Sequence, residues 1–289
     1  MADFIPALND EGFLGFPAPA KLNLFLHIIG RRADGYHLLQ SVFQLIDAHD
    51  TVWLRPDESG EIVRLDPLPA VPAESDLIWR AGKLLQDHTG CRRGVALKLD
   101  KRLPMGGGVG GGSSDAATVL LALNRLWQLD LPRAELMGLG LKLGADVPFF
   151  LFGRNAFVEG IGEIMTPVET GERWFAVLHP QVHVPTPAIF RDPGLTRNTP
   201  PIKVRDLATA ATRNDLEPVA CRQHPLIAES IAWLNRFAPA RMTGSGSCVF
   251  ARFASQDETT RVISRLPDFW HGFAASAMNQ HPLLEFARD

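Results

Sequence analysis

The stretch Pro104-Met105-Gly106-Gly107-Gly108-Val109-Gly110-Gly111-Gly112-Ser113-Ser114, running into Asp115-Ala116-Ala117, governs the reading of the whole chain. Six of its eleven residues are glycine. Glycine costs conformational entropy on folding and adds nothing to packing, so such a run is useful where the backbone takes positive φ or comes very close to something else. Before it, Val95, Leu97 and Leu99 alternate with Ala96, Lys98 and Asp100, the pattern of a half-buried strand. After it, Val119, Leu120, Leu123, Leu126 and Trp127 recur at helical spacing, and Ser113, Ser114 and Asp115 are good N-cap types. The chain therefore reads strand, bare backbone, helix start. Free N–H groups and the positive end of a helix dipole then face one point, which suits an anion and a phosphate best. The alternative is a flexible hinge, which needs neither the strand in front nor the capped helix behind.

Two familiar phosphate loops fit poorly. Gly106, Gly108 and Gly111 satisfy the G-x-G-x-x-G spacing, but a dinucleotide fold also wants a second strand ending in an acid soon after the helix. Here Asp130-Leu131-Pro132-Arg133 turns into another helical pattern. A P-loop wants Gly-Lys-Ser/Thr, and this loop has Gly112-Ser113-Ser114 with no lysine.

Bulk properties narrow the class. The chain has 289 residues, enough for one large domain or two lobes with proper cores, and is 46% hydrophobic and 21% charged. A net charge of −3 argues against a general nucleic-acid binder and leaves room for a local polyphosphate site. Cys91, Cys221 and Cys248 are odd in number and widely spaced, which favours a reducing compartment over a disulfide framework. The first residues lack the order of a signal peptide, and no uncharged apolar run reaches the roughly 18–20 residues of a membrane helix. A cytoplasmic protein without a membrane partner is expected.

Along the chain, residues 1–16 read as a short extension. Leu22, Leu24, Leu26 and Ile28 alternate with Lys21, Asn23, Phe25 and His27 in a strand over 18–28, whose Lys21 and Asn23 face either solvent or a cleft. Asp34-Gly35 is a tight-turn pair beside Arg31, Arg32, Tyr36 and His37. Residues 42–46 and 51–54 continue as a strand meander, 56–73 as an acidic, proline-rich surface loop and 76–88 as a helix. Residues 132–143 predict a helix ended by Gly144, and 145–150 an Asp-Val-Pro turn with an apolar anchor, whose Asp146 is either a local cap or a functional acid. Strands follow near 157, 163–165 and 175–178. Pro180, Pro185 and Pro187 then argue against a helix over 181–190, so His179 and His183 do not form a zinc pair. Residues 196–214 read as a polar connection, 225–237 and 257–266 as helices, 240–250 as a small-residue loop entering a strand, and 273–278 as a last strand.

Four segments taken together are more specific than any one. They are Pro19-Ala20-Lys21-Leu22-Asn23, the 104–114 loop, Gly144-Ala145-Asp146-Val147-Pro148 and Thr243-Gly244-Ser245-Gly246-Ser247-Cys248. In this order they resemble the GHMP small-molecule kinases. Asp34-Gly35-Tyr36-His37, Pro185-Thr186-Pro187 and Phe190 are similar to the branch of that family that acts on CDP-methylerythritol in the non-mevalonate isoprenoid route.

The resemblance implies an α+β chain of two lobes. A ribosomal-S5-like N-terminal α/β lobe would span 1–155 and a ferredoxin-like C-terminal α+β lobe 156–289, with the site in the cleft between them. It implies ATP phosphates on Pro104, Met105, Gly106, Gly107, Gly108, Val109, Gly110, Gly111, Gly112, Ser113 and Ser114, with Lys101 near the adenosine end. Asp146 would take the proton of the substrate's 2-hydroxyl beside Lys21, and an adjacent ammonium favours an ionised carboxylate. Asn23 would hold the substrate. Tyr36 and Phe190 would sandwich cytosine, His37 would bond its edge, and Thr186 would steady that pocket. Mg²⁺ is expected with ATP, with Ser113, Ser114 and water as candidate ligands. The competing readings are a GHMP kinase for mevalonate, homoserine or a sugar, and a non-catalytic nucleotide or anion sensor.

Overall fold

Two long antiparallel strands carry the architecture. After the short β1 (Ala7–Leu8), β2 (Leu14–Arg31) and β3 (His37–Asp57) run side by side for most of their length in this computed structural model, which describes residues 4–66 and 72–289. The residues expected as a two-part meander over 42–54 thus form one continuous strand. The stretch read as an N-terminal extension is not peripheral either. Phe13 and Phe16 have no solvent exposure, and Ala7 and Leu8 pair with Gly15 and Leu14. Each fully buried phenylalanine contributes about 1.5–3 kcal/mol, which explains why this segment is held to the sheet.

The other edge of β3 is shared. Next come β4 (Ile62–Arg64), α1 (Leu77–Thr89) and β5 (Gly94–Asp100). Strand β5 pairs antiparallel with residues 51–57 of β3 and parallel with β4. The expected 56–73 surface loop is therefore partly strand, and its residues 67–71 lie outside the described residues. Asp76 N-caps α1, its carboxylate accepting from the Ile78 amide at 3.0 Å.

Helices α2 (Gly111–Leu126), α3 (Arg133–Leu143) and α4 (Val147–Phe152) follow. Helix α2 is buried on all sides from Ala116 to Asn124, as expected of a helix rich in Ala, Val and Leu around its whole circumference. It packs with α1, α3 and α4 over the sheet in a cluster that includes Leu54, Leu97, Leu120 and Phe150. Residues 145–150 were expected as a turn, but the apolar Val147–Phe152 run closes a short helix with Pro148 in its first turn, where a missing N–H is harmless.

The remaining elements are β6 (Ala156–Glu159), β7 (Ile164–Pro167), β8 (Trp174–His179), α5 (Thr186–Arg191), α6 (Glu217–Gln223), α7 (Pro225–Leu234), β9 (Ala240–Met242), β10 (Val249–Phe253), α8 (Gln256–Ile263) and β11 (His271–Met278). Helix α5 corrects the expectation that proline excludes a helix over 181–190, because Pro187 again sits in the first turn. Strand β11 pairs with both β3 and β8, so among the described residues one sheet of eleven strands runs through the molecule, with the main path β1-β2-β3-β11-β8-β10-β9. A second apolar cluster gathers α6, α7 and α8 with the far end of β2 through Leu26 and Ile28. No described helix is long and apolar enough to cross a membrane.

The chain's end returns to the first cluster through Leu283 and Ala287. Here His281 is buried. Its Nδ1 accepts from the Leu283 amide at 3.0 Å, and its Nε2 has no partner among the described residues. Burial, helped by the Arg133 cation, pushes its pKa down to about 3. Unfolded, the group takes a proton near pH 6.5. Folded, it stays neutral, so it withdraws stability as the pH falls below that value. His281→Asn, whose side-chain oxygen can still accept from Leu283, is expected to flatten the acid limb of stability by roughly 1.4 kcal/mol per pH unit below 6.5. Urea unfolding at pH 6.5 and 5 measures this, and equal slopes for both proteins would contradict it.

Candidate active site

Strand β2 is irregular between Pro19 and Ala20 and again between Asn23 and Leu26. Such irregularities bend a strand and re-aim its side chains, and Lys21 and Asn23 lie between them. The Lys21 side chain is only 4% exposed. Its Nζ donates to Asn23 Oδ1 at 2.6 Å and to the Gly108 carbonyl at 3.2 Å, lies 3.4 Å from Asp146 Oδ2, and sits 4.9 Å from the centre of the Phe43 ring. A buried ammonium is costly unless oxygens surround it, and three do. Asp146, just before α4, keeps 36% of its side chain open. The lysine is thus fixed and the carboxylate reachable. Asn23 is itself held, its Nδ2 donating to Ser41 Oγ at 3.0 Å and its amide to Thr243 Oγ1 at 2.8 Å.

The glycine loop passes between β2 and the 243–248 loop. The Lys21 amide donates to the Val109 carbonyl at 2.9 Å on one side, and the Cys248 amide donates to the Gly107 carbonyl at 3.0 Å on the other. Gly108 has φ +75°, and a Cβ there would lie 2.5 Å from the Thr243 carbonyl oxygen. Gly110 has φ +76°, and its Cβ would lie 2.8 Å from the Phe150 ring. No other residue fits at either position without moving main chain or a packed ring. Helix α2 begins at Gly111 with Gly110 in the capping position and no side-chain cap. Ser113, Ser114 and Asp115 are therefore inside the first turns and are not caps, because the left-handed Gly110 turns the chain into the helix earlier than expected. The uncapped amide end faces the cleft, which Gly111, Gly112 and Ser113 line.

Ser114 does not line it. Its side chain is fully buried, its amide donates to the Gly110 carbonyl at 2.9 Å, and its hydroxyl has no partner among the described residues. Lys101 reaches the cleft wall but is tied to Asp50 and, at 2.8 Å, to Asp115. Burial works against the Lys101 charge, yet Asp115 and Asp50 outweigh it and hold the ammonium pKa above its ordinary value. Burial raises the Asp115 carboxyl to about 7, only partly offset by Lys101. Asp50 Oδ1 also accepts from the Arg102 and Leu103 amides at 2.6 and 2.7 Å, so this ionic knot anchors the start of the loop to the start of α2.

The cleft encloses about 890 Å³ and reaches from Leu77 beside α2 to Phe190 on α5. At the Phe190 end the expected aromatic sandwich is not formed. Tyr36 is 61% exposed and does not line the cleft, because the Asp34-Gly35 turn, with Gly35 at φ +92°, directs it outward. His37 does not line the cleft either; its ring packs on Phe190, which does, with centroids 5.1 Å apart and planes at 38°. Burial lowers the His37 pKa, with the Arg197 and Arg31 cations adding to it. Thr186 Oγ1 lies 2.7 Å from Ser245 Oγ and so joins α5 to the 243–248 loop. Sequence reading did not assign His183 to the cleft wall, nor place Arg197, which lies off the wall, against His37. His183 packs over Gly106, where a Cβ would lie 2.7 Å from its Nδ1. Arg197 donates to His37 Nε2 at 3.1 Å, and its place in a polar connection gave no hint of this.

No described cluster of three or more His, Cys, Asp or Glu side chains is placed to hold a metal ion. The Asp146 carboxylate and the Ser113 hydroxyl line the cleft beside the loop, whereas the Asp115 carboxylate is tied to Lys101. That sparse set suits Mg²⁺, which keeps several waters and takes its other ligands from substrate phosphates.

Residues 76–154 match the GHMP kinases N terminal domain, and residues 198–272 match the GHMP kinases C terminal domain. A 4-diphosphocytidyl-2-C-methyl-D-erythritol kinase of Ralstonia nicotianae is 59% identical over 94% of this chain and 96% of its own. One from Thiobacillus denitrificans is 57% identical over 94% of this chain and 98% of its own. A crystal structure of 4-(cytidine 5'-diphospho)-2C-methyl-D-erythritol kinase superposes with a TM-score of 0.81 at 34% identity, covering 91% of this chain and 98% of that one. A mevalonate kinase structure shares the fold alone, at TM-score 0.63 and 17% identity, over 92% of this chain and all of its own. With its glycine loop, its Lys21–Asp146 pair and both domains matched, the chain belongs to the GHMP kinase family.

Proposed function

We propose that this chain transfers the γ-phosphoryl group of ATP to the 2-hydroxyl of 4-(cytidine 5'-diphospho)-2-C-methyl-D-erythritol, giving the 2-phosphate and ADP in isoprenoid precursor biosynthesis. The observation that carries the reading is the 3.4 Å contact between Lys21 Nζ and Asp146 Oδ2 beside the uncapped start of α2. Binding alone would require neither group. The identity of the relatives along nearly the full chain supports the substrate.

Phosphoryl transfer is mostly positioning and charge stabilisation. The amides of Gly111, Gly112 and Ser113 and the positive end of α2 would receive the phosphates. The tertiary alcohol is a poor nucleophile, and Asp146, the exposed member of the pair, would accept its proton as the bond to phosphorus forms. Lys21, already committed to Asn23 Oδ1 and the Gly108 carbonyl, would orient that carboxylate and share the charge developing between it and the transferred group. Mg²⁺ bound with ATP neutralises β/γ-phosphate charge, and the Ser113 hydroxyl would be its protein ligand beside phosphate oxygens and water. Ser114 is fully buried and lines no part of the cleft, so it would not reach the ion. His37 and Phe190 would receive the cytosine, while Tyr36 reaches it only if the 31–36 turn folds inward. Asn23 and Thr186 would act by holding Lys21 and the 243–248 loop. We place the lobe division near residue 155 and the reaction in the cytoplasm.

A coupled assay for ADP release is expected to show turnover with the cytidine diphosphate substrate and none with mevalonate or homoserine. The opposite pattern would sink the substrate assignment. Asp146→Asn is expected to retain ATP affinity and lose at least about 10²-fold in kcat, the lower range for removal of a general base. Unchanged turnover would take Asp146 out of the mechanism. Gly108→Ala combines a positive φ with a clash against the Thr243 carbonyl, and is expected to weaken ATP binding about tenfold or more, which calorimetric titration reads. Normal affinity in that variant would count against the loop as the phosphate cradle.

A further inference from the structure

We propose that Arg197 is a positioning residue that fixes the His37 proton on Nδ1 and thereby sets which pyrimidine the cleft accepts. The proposal rests on the cytidine-substrate reading above and adds to it the residue that would enforce base choice. Arg197 lies in the connection between α5 and α6. Its Nε donates to His37 Nε2 at 3.1 Å, its Nη1 to the Leu195 carbonyl at 3.0 Å, and its Nη2 to the Phe190 and Asp192 carbonyls at 2.9 and 2.8 Å. One side chain from the polar connection therefore ties the His37 ring to the backbone of Phe190, whose ring lines this end of the cleft. It holds the backbone that presents Phe190 and the nitrogen at the edge of His37.

A guanidinium has donors only and stays protonated. A donor aimed at Nε2 demands a lone pair there, so a neutral His37 carries its proton on Nδ1. An imidazolium would set two N–H groups and two cations against each other. Burial and the nearby Arg197 and Arg31 charges oppose that form as well. Among the described residues His37 Nδ1 makes no hydrogen bond, and the ring packs on Phe190, which lines the cleft, so a base seated against Phe190 would meet this N–H.

The ring nitrogen N3 of cytosine is an acceptor, and that of uracil is a donor. An Nδ1–H held in place pairs with the first and opposes the second. Specificity of this kind comes from leaving the wrong ligand's polar group unmatched. A lysine cannot replace Arg197, because its single ammonium cannot span a ring nitrogen and three carbonyls arranged around a planar fork.

Two measurements on the full-length protein test this. Long-range proton–nitrogen correlation spectra, with His37 assigned by comparison with His37→Gln, are expected to show Nδ1 protonated and Nε2 bare at pH 7. A proton on Nε2, or on both nitrogens, would overturn the proposal whether or not any variant folds. In kinetics, Arg197→Leu and Arg197→Lys are expected to raise KM for the cytidine diphosphate substrate about tenfold, the scale of one lost hydrogen bond to a charged group, and to erode the preference over the uridine counterpart by a similar factor. KM for ATP and kcat are expected to stay within about twofold of wild type, since Arg197 does not line the phosphate end. An unchanged cytidine preference, or equal loss in every parameter, would overturn it. Failure of the wild-type protein to phosphorylate the cytidine substrate would sink the functional reading instead, and the histidine spectrum distinguishes that result from failure of the Arg197 contact.

Discussion

A lysine ammonium removed from water must find oxygens, and the surroundings of Lys21 are built from the consequence. Its partners come from three places far apart in sequence: Asn23 on its own strand, the Gly108 carbonyl of the loop and Asp146 before α4. Taking away any one leaves a buried charge less compensated, a loss that a compact core tolerates poorly. The same three contacts bring main-chain donors, a reachable carboxylate and a cation to one point. The need to satisfy the charge and the geometry of the chemistry are one arrangement.

The glycine loop is the second half of that constraint. It lies between Lys21 and Phe150 on one side and Thr243 and Cys248 on the other, too close for side chains at Gly107, Gly108 or Gly110. The tightness explains why the loop is bare better than a demand for flexibility does. The Lys101–Asp50–Asp115 knot fixes the start of the loop to the start of α2, and β3, shared by β2, β5, β6 and β11, gives both walls a common floor. A loop pinned at both ends keeps its amides aimed without a bound ligand, which is the preorganisation that charge stabilisation requires.

Much of this was legible in the residues. The alternation over 95–99 and the helical period after Asp115 located the loop, and the Lys21 and Asp146 segments proved to be neighbours in space. What escaped reading has physical causes. Local patterns do not report sheet continuity, so the long β3 looked like two strands and the Phe13–Phe16 region like a tail. Residues 147–152 are too short for a periodic signal, and Pro187 misled because proline is harmless in a first turn. Ser114 was assigned to the phosphates by the resemblance, and the early turn into α2 that Gly110 makes buries it instead. Arg197 and His183 owe their positions to tertiary folding alone, and no spacing announces them. Tyr36 stands where the motif calls for it, with its side chain exposed and off the cleft wall.

The account turns on the alcohol meeting Asp146 while the triphosphate lies on the glycine loop. A crystal structure of the protein with a non-hydrolysable ATP analogue, Mg²⁺ and the cytidine diphosphate substrate tests that most directly. It is expected to show the 2-hydroxyl oxygen within about 3 Å of an Asp146 carboxylate oxygen, Lys21 still on that carboxylate, and the γ-phosphate facing the hydroxyl from the amides of 111–113. A hydroxyl directed away from Asp146, or a triphosphate seated elsewhere than on the loop, would contradict it.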